Sequence, residues 1–235
     1  MLTAAEIEII LLSLKVAFWS VLVSLPLALL VAHVLARSDF TGKSLFDAIV
    51  HLPLVLPPVV VGYALLVLLG RRGPIGELLD QWFGIVVAFR WTGAALACAV
   101  MGFPLMVRAM RLSIEAIDPK LEAAAQTLGA GRVGVFLTVT LPLALPGIIT
   151  GTLLSFARSL GEFGATITFV SNIPGETQTL PLAIYALTQV PGGDDAALRL
   201  CVLSVLLSIA ALLASEMLVR RASKRVLGYD AVGRD

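Results

Sequence analysis

Two charged residues, Arg158 and Glu162, interrupt a long apolar stretch in the second half of the chain. They are four positions apart, so on a helix their side chains are neighbours and can neutralise each other. A charge at the middle of a bilayer costs at least about 2.5 kcal/mol and normally faces protein or water. The pair therefore either fixes helix packing or, with Ser155 and Ser159, forms the polar lining of a permeation path; the two roles are compatible.

The other reactive side chains do not form a catalytic or metal-binding pattern. Cys98 and Cys201 lie inside apolar runs without the spacing of metal ligands, which indicates small buried residues. Residues 42–44 read Gly-Lys-Ser, like the end of a phosphate-binding loop, but Arg37 occupies the place of the earlier glycine. We expect no catalytic residue, no metal site and no cofactor on this chain.

A second polar segment, from Asp118 to Pro142, has the signals of a short helix at its start. Asp118 can cap a helix, proline at the next position suits the first turn, and Glu122 lies where the positive end of the helix dipole favours an acid. Gly129 supplies a stop at the other end. The sequence predicts a helix of about ten residues between two membrane spans.

One face of this predicted helix is weakly apolar. Leu121, either Ala124 or Ala125, and Leu128 recur at helical spacing. So narrow a strip cannot form a core of its own. We therefore expect it to bind a partner protein.

The composition places these elements in a membrane. Of 235 residues, 58% are hydrophobic and 14% are charged, whereas soluble domains have about 45–50% apolar residues. The net charge of +1 argues against a nucleic-acid partner, because that would require a clustered basic face. The chain is predicted to be an integral membrane protein surrounded by lipid.

Five apolar runs are long enough to cross a bilayer, which takes about 20 residues. They cover residues 9–35, 48–69, 84–107, 143–170 and 198–219. Helices suit such runs because lipid offers no partner to exposed backbone groups. We predict an all-α, polytopic fold with five transmembrane helices in a single domain over residues 1–235.

The second run contains three closely spaced prolines, Pro53, Pro57 and Pro58. Proline removes helix hydrogen bonds and forces kinks, and broken helices in membrane proteins are buried or line water-filled cavities. Pro57 and Pro58 are therefore candidates for the lining of a pathway. A purely structural kink is the alternative.

The distribution of Lys and Arg predicts the orientation, because cytoplasmic loops are enriched in them. With the N-terminus outside, the inner segments hold eleven such residues and the outer segments at most four. The inner set is Arg37, Lys43, Arg108, Arg111, Lys120, Arg132, Arg220, Arg221, Lys224, Arg225 and Arg234, and the outer set is Arg71, Arg72, Arg90 and Arg199. We predict the N-terminus outside, the C-terminus inside, and a cytoplasmic loop over about 112–142.

The cytoplasmic loop resembles the EAA loop of the membrane subunits of bacterial ABC importers. The resemblance rests on Glu-Ala-Ala at 122–124, a glycine seven residues after Glu122, and Val-Thr-Leu-Pro at 139–142, where Val139 replaces the usual isoleucine. In that family the loop forms a coupling helix that sits in a groove of a cytoplasmic ATPase. The resemblance implies that the ATPase-coupling residues are Leu121, Glu122, Ala123, Ala124, Leu128 and Gly129.

Further segments resemble the permeases of molybdate importers. They are Leu52 to Pro58, Gly70 to Gly76, Glu162 to Thr166 and Asn172 to Thr177. Tungstate, sulfate and thiosulfate permeases are near relatives, and the sulfate ones typically have an extra N-terminal span. A self-sufficient channel or a membrane-bound enzyme without an ATPase is the alternative from a different class.

The resemblance implies a translocation subunit rather than an enzyme. Its partners would be a second copy of the chain, two ABC ATPase subunits that bind ATP and Mg²⁺, and a periplasmic molybdate-binding protein. The assembly would lie in the bacterial inner membrane. The path would run along the dimer interface and involve the kinked second span, with Pro57 and Pro58, and the polar face of the fourth. That face carries Ser155, Arg158, Ser159 and Glu162.

Overall fold

A computed structural model describes residues 3–227 of the chain, and the side chains of these residues except 215, 216 and 218–227. The described part is helical and contains no strand. Its helices are α1 (Ala4–Arg37), α2 (Lys43–Val55), α3 (Pro58–Leu69), α4 (Pro74–Phe83), α5 (Trp91–Glu115), α6 (Pro119–Thr127), α7 (Arg132–Leu160), α8 (Gly164–Val170), α9 (Leu180–Thr188) and α10 (Asp194–Leu227). The predicted all-α fold is confirmed.

Four of these helices, α1, α5, α7 and α10, are long and apolar enough to cross a membrane. The pair α2 and α3 makes a fifth span if it is counted as one, although it is bent by 111°. The bend lies at Leu56 and Pro57, whose ψ angles of 141° and 133° are extended. Each of these two residues precedes a proline, which disfavours helical backbone. The prolines therefore break the second span rather than only kinking it.

The predicted boundaries of the fourth span are wrong. The sequence predicted a single span over 143–170, but α7 begins at Arg132 and ends at Leu160, and a separate helix, α8, starts at Gly164. The early start includes one turn of π-helix, Phe136–Thr140, just before Pro142. A proline lacks the N–H that a regular turn would use, and a wider turn accommodates this. Apolar composition alone cannot locate such a start or the later break.

Two other spans are shifted relative to the predicted ranges. The third was predicted over 84–107, but Gly84 ends α4 in the left-handed region at φ 64°, and α5 begins only at Trp91. The fifth was predicted over 198–219, but α10 begins at Asp194. The third starts late because Gly84 ends α4 within the apolar run, and the fifth starts early with Asp194 and Asp195 in a first turn that favours acids. The basic residues from Arg220 onward lie outside the described side chains.

The centre of the domain is formed by α1, α5 and α7, which pack along most of their length. Buried aliphatic side chains form one cluster toward each end of these helices. Gly147 and Gly151 let α7 approach α5 closely: a Cβ at Gly151 would lie 2.9 Å from the carbonyl oxygen of Met106, and one at Gly147 would overlap Ser113. Small residues allow such contacts between membrane helices.

Polar contacts distinguish the two ends of the helix bundle. At one end, called here the α6 end, Arg111 Nη1 lies 3.0 Å from Asp47 Oδ1, and α6 follows α5 after a short turn. At the opposite end Arg199 Nε lies 3.1 Å from Glu6 Oε1. The end of α1, the start of α2 and the whole of α6 thus lie at the same end of the domain.

Candidate functional site

Helix α6 forms as the sequence predicts. The Asp118 side chain accepts a hydrogen bond of 2.9 Å from the backbone N–H of Lys120, and Pro119 is the first helical residue. At the other end Gly129 adopts φ +90°, a conformation that a residue with a Cβ rarely adopts. The helix is therefore specified locally, by its cap and its stop, rather than by packing against a core.

The apolar strip of α6 is open to a partner. None of the residues of α6 is buried. Leu121 is 50% exposed and Leu128, which follows the helix, is 89% exposed, while Ala123 and Ala124 are also exposed. A large apolar side chain this exposed at the end of a domain is typical of an interaction surface. The apolar strip predicted for α6 therefore lies on the surface of the domain.

Glu122 faces in a different direction, toward its own chain. Its carboxylate lies 3.1 Å from Arg37 Nε at the end of α1, and it accepts a hydrogen bond of 2.7 Å from the Thr140 hydroxyl in α7. The same guanidinium donates from Nη2 to the carbonyl oxygen of Ile117, at 3.1 Å. The side chain of Glu122 is only 15% exposed. The sequence motif identified Glu122, but the pairing with Arg37, 85 positions away, had no sequence signal.

The second polar site lies at the break between α7 and α8. Arg158 Nη1 lies 2.6 Å from Glu162 Oε2, so the ion pair predicted from the four-residue spacing is present. Glu162 is not on the helix, however, because α7 ends at Leu160. Its other oxygen, Oε1, accepts a hydrogen bond of 2.8 Å from the backbone N–H of Ala165. One buried carboxylate thus neutralises Arg158 and caps the first turn of α8.

The two serines near this pair are buried between helices of the same chain. Ser159 Oγ lies 3.0 Å from Ser20 Oγ in α1 and donates a hydrogen bond of 2.8 Å to the carbonyl oxygen of Ser155. Ser155 Oγ lies against Gly102 of α5 and has no hydrogen-bond partner among the residues that the structure describes. In this structure both serines face neighbouring helices rather than an open cavity.

The break in the second span meets the break after α7. The start of α3 packs on α8: a Cβ at Gly164 would lie 2.8 Å from Pro58 Cβ, and one at Gly62 would lie 2.5 Å from the carbonyl oxygen of Ala165. Pro57 is exposed, whereas Pro58 is half-buried. Two interruptions that are about 100 residues apart in sequence therefore form one irregular region inside the bundle, and irregular backbone at membrane depth is tolerated where it is protein-lined or faces water.

Metal ligation has no support in the described part of the chain. Within residues 3–227 the described side chains include no group of three or more His, Cys, Asp or Glu that could hold a metal ion. Cys98 is buried and Cys201 is partly buried.

Solved structures of ABC transporters share the fold of this chain. A bacterial ABC transporter involved in the import of the acidic polysaccharide alginate matches 94% of this chain and 80% of its own, with a TM-score of 0.74 at 19% identity. Inward-facing conformations of a methionine ABC transporter match 93% of this chain and 94% of theirs, with a TM-score of 0.67 at 17% identity. This chain has the same fold as the matched chains of these ABC transporters.

The sequence comparison gives the family. A model described as binding-protein-dependent transport system inner membrane component matches residues 24–224, and the chain belongs to this family. The molybdenum transport system permease protein ModB of Escherichia coli (strain K12) is 63% identical over 95% of this chain and 98% of its own length. The Haemophilus influenzae protein of the same name is 60% identical over 94% and 96%. The sulfate transport system permease protein CysT of Salmonella typhimurium is 39% identical over 86% and 72%.

Proposed function

We propose that this chain is the permease subunit of an ATP-driven importer that moves molybdate across the bacterial inner membrane. The observation that carries the proposal is the 63% identity with a molybdenum transport permease over nearly the full length of both chains. The sulfate permease is less similar, at 39%, and a smaller share of its length is matched. A related oxyanion such as sulfate, thiosulfate or tungstate is the second candidate, and the sulfate relative is the observation that favours it.

In the proposed orientation the N-terminus is outside and the α6 end is in the cytoplasm. The excess of Lys and Arg in the loops on that side supports this orientation. Arg37, Lys43 and Arg111 all lie at the end of the bundle where α6 is found. The cytoplasmic side is also where a separate ATPase, with its ATP and Mg²⁺, would bind.

The functional assembly consists of two copies of this chain, two ATPase subunits and a periplasmic molybdate-binding protein. One solved relative, an alginate ABC transporter, is in complex with a ligand-bound periplasmic protein and matches 94% of this chain. The strip formed by Leu121, Ala124 and Leu128 docks into the ATPase. Ala123 allows close approach beside it, and Gly129 ends the helix so that the chain can return to the membrane.

The translocation path passes the region where the two helix breaks meet. Pro57 and Pro58 form one side of that region, and Arg158 and Glu162 lie at the other. The guanidinium is 30% exposed while the carboxylate is 1% exposed, so the positive partner is the one that an oxyanion can approach. Glu162 offsets part of the charge of Arg158, so an anion beside the exposed part of the guanidinium is held weakly and can pass on. Ser155 and Ser159 would join this lining if α7 moved relative to α1 and α5.

Reconstitution tests the proposal. The chain is purified with its cognate ATPase, inserted into lipid vesicles with the binding protein present, and uptake of labelled molybdate is measured with ATP inside. We expect ATP-dependent uptake that excess tungstate reduces and equimolar sulfate leaves largely intact. Failure to copurify with the ATPase would refute the importer assignment. Complete suppression by equimolar sulfate would refute the assignment of molybdate and favour the sulfate alternative.

A further inference from the structure

Glu122 is the one charged residue of the glutamate-alanine-alanine segment, yet it does not point toward the surface where a partner would dock. Leu128, beside it on the partner side, is 89% exposed, whereas the Glu122 side chain is 15% exposed. Its carboxylate is occupied by Arg37 and Thr140 of the same chain. The docking strip therefore faces a partner protein, whereas the Glu122 carboxylate binds side chains of its own chain.

Arg37 connects three separate parts of the α6 end. It is the last residue of α1, its Nε contacts Glu122 on α6 at 3.1 Å, and its Nη2 donates to Ile117 O, in the turn after α5, at 3.1 Å. A guanidinium can bind two acceptors at once because its donors form a rigid, planar fork. The hydroxyl of Thr140 in α7 donates a 2.7 Å hydrogen bond to the Glu122 carboxylate, which links α7 to the same group of contacts.

Helix α6 has few other ties to the membrane domain. It contributes no buried residue, and neither of the two main buried clusters includes a residue of α6. The cluster of Arg37, Glu122 and Thr140, named here the latch, is thus the main polar link between α6 and the spans. Besides the chain connections to α5 and α7 and the contacts with the first turns of α7, the latch is the side-chain link through which a force on the exposed strip reaches α1.

We propose that Arg37 is a positioning residue for energy coupling: through the latch it transmits the movement of α6 to the ends of α1 and α7. The inference rests on the proposed function, in which an ATPase moves α6. Charged hydrogen bonds at partly buried positions are strong and directional, so the latch resists being stretched, which a few exposed van der Waals contacts could not do. Loss of the latch leaves docking intact and reduces the transport obtained from each ATP.

The test uses the complete transporter in vesicles and measures copurification, ATP hydrolysis and molybdate uptake together. In Arg37→Glu the guanidinium is replaced by a second carboxylate facing Glu122. We expect the ATPase to copurify as with the unmodified chain, and uptake per ATP to fall by about tenfold, the scale of one lost charged hydrogen bond. Lys43→Glu is the matched control, because it makes the same charge change nearby at a side chain whose partner, Asp39, is 99% exposed.

The exchanged variant Arg37→Glu/Glu122→Arg separates a coupling role from a folding defect. It recreates the opposite charges across the same gap but not the donation to Ile117 O, so uptake per ATP should rise at least about threefold above that of Arg37→Glu if the pair is what matters. If Arg37→Glu alone is poorly expressed, the exchanged variant still tests whether the ion pair is needed for coupling. Rescue by the exchange supports the latch, and an exchanged protein as poor as the single variant overturns it.

The outcomes distinguish the latch from the proposed function itself. If the unmodified chain does not assemble with the ATPase or import molybdate, the proposed function is wrong. If the unmodified transporter imports molybdate and Arg37→Glu leaves uptake per ATP unchanged, the proposed function stands and the latch is wrong. A loss in Lys43→Glu equal to that in Arg37→Glu would also overturn the latch, since it would assign the effect to general charge at this end.

Discussion

The chain contains two Arg–Glu pairs that are built in different ways. Arg158 and Glu162 are four positions apart and lie at a helix break inside the bundle. Arg37 and Glu122 are 85 positions apart and join helices at the α6 end. Glu162 is 1% exposed and Glu122 is 15% exposed. The first pair depends on local sequence, whereas the second exists only because the fold brings the ends of α1 and α6 together.

The difference suggests a division of tasks. The Glu162 carboxylate stabilises the helix break, because it neutralises Arg158 and caps α8. Removing either charged residue leaves the other uncompensated in an apolar medium. The Arg37–Glu122 pair instead joins two separate helices near the surface, so its loss leaves each helix intact and removes the link between them. The buried pair should therefore govern stability, and the peripheral pair should govern coupling.

Glu162→Leu should have the largest effect. It leaves Arg158 unpaired and removes the acceptor for the Ala165 N–H. We expect a loss of about 3–5 kcal/mol in the free energy of unfolding, the usual cost of breaking a buried pair. Unfolding in detergent micelles, followed by fluorescence, measures it.

The double variant Arg158→Leu/Glu162→Leu is the control for that experiment. It removes the isolated charge, so it should recover much of the stability while uptake stays impaired. If the single variant were as stable as the unmodified chain, the pair would not be the stabilising element, and the contrast between the two pairs would fail.

Leu128→Asp tests the docking strip beside the latch. The residue is 89% exposed, so stability should change by less than about 0.5 kcal/mol. If the ATPase buries this side chain, as proposed, a charge there should weaken assembly by at least about tenfold, a change of about 1.4 kcal/mol. Copurification at graded ATPase concentrations measures this. Gln126→Asp, an exposed position in the last turn of α6, should leave assembly unchanged, and equal losses in both variants would argue against the strip.

Thr140→Val removes one hydroxyl from the latch and keeps the shape of the side chain. Thr140 is 1% exposed and donates to Glu122, so its loss should cost about 1 kcal/mol and reduce uptake per ATP by a fewfold. Thr138→Val is the matched control, because its hydroxyl bonds only to the carbonyl oxygen of Gly134 in its own helix. A similar decrease in uptake from both variants would contradict a specific role of Thr140.

Salt should produce the smallest effect and should separate the two pairs. Raising the ionic strength from about 0.1 to 1 M shortens the Debye length from about 10 to 3 Å, which weakens exposed pairs more than buried ones. The coupling free energy of Arg37 with Glu122, measured by a double-mutant cycle of unfolding free energies, should fall by a few tenths of a kcal/mol. That of Arg158 with Glu162 should stay constant. Equal salt dependence of the two would show that they do not differ in environment.

Local signals in the sequence were sufficient for several features. Helix α6 follows from Asp118, Pro119 and Gly129, because a cap, a first-turn proline and a left-handed stop act within a few residues. The break in the second span follows from consecutive prolines, which constrain the residues just before them. The pair of Arg158 with Glu162 follows from a four-residue spacing.

Features that depend on contacts between distant segments could not be predicted from local sequence signals. The end of α7 at Leu160 is coupled to the capping of α8 by Glu162, and the charges of Arg158 and Glu162 fit a continuous helix as well as a broken one. Gly147 and Gly151 have a spacing that suits any close helix neighbour, and only the fold shows that this neighbour is α5. The roles proposed for the path residues remain predictions.

The sequence by itself determined that this is an all-α membrane protein with a short, capped helix and a charged pair in its fourth apolar stretch. Hydrophobic length, helix caps and four-residue spacing are local properties, and they act whatever the rest of the chain does. Only the tertiary structure decided that Glu122 faces Arg37 and Thr140, and that the two helix breaks meet. Such contacts join residues many positions apart, and their geometry is fixed by how the helices pack.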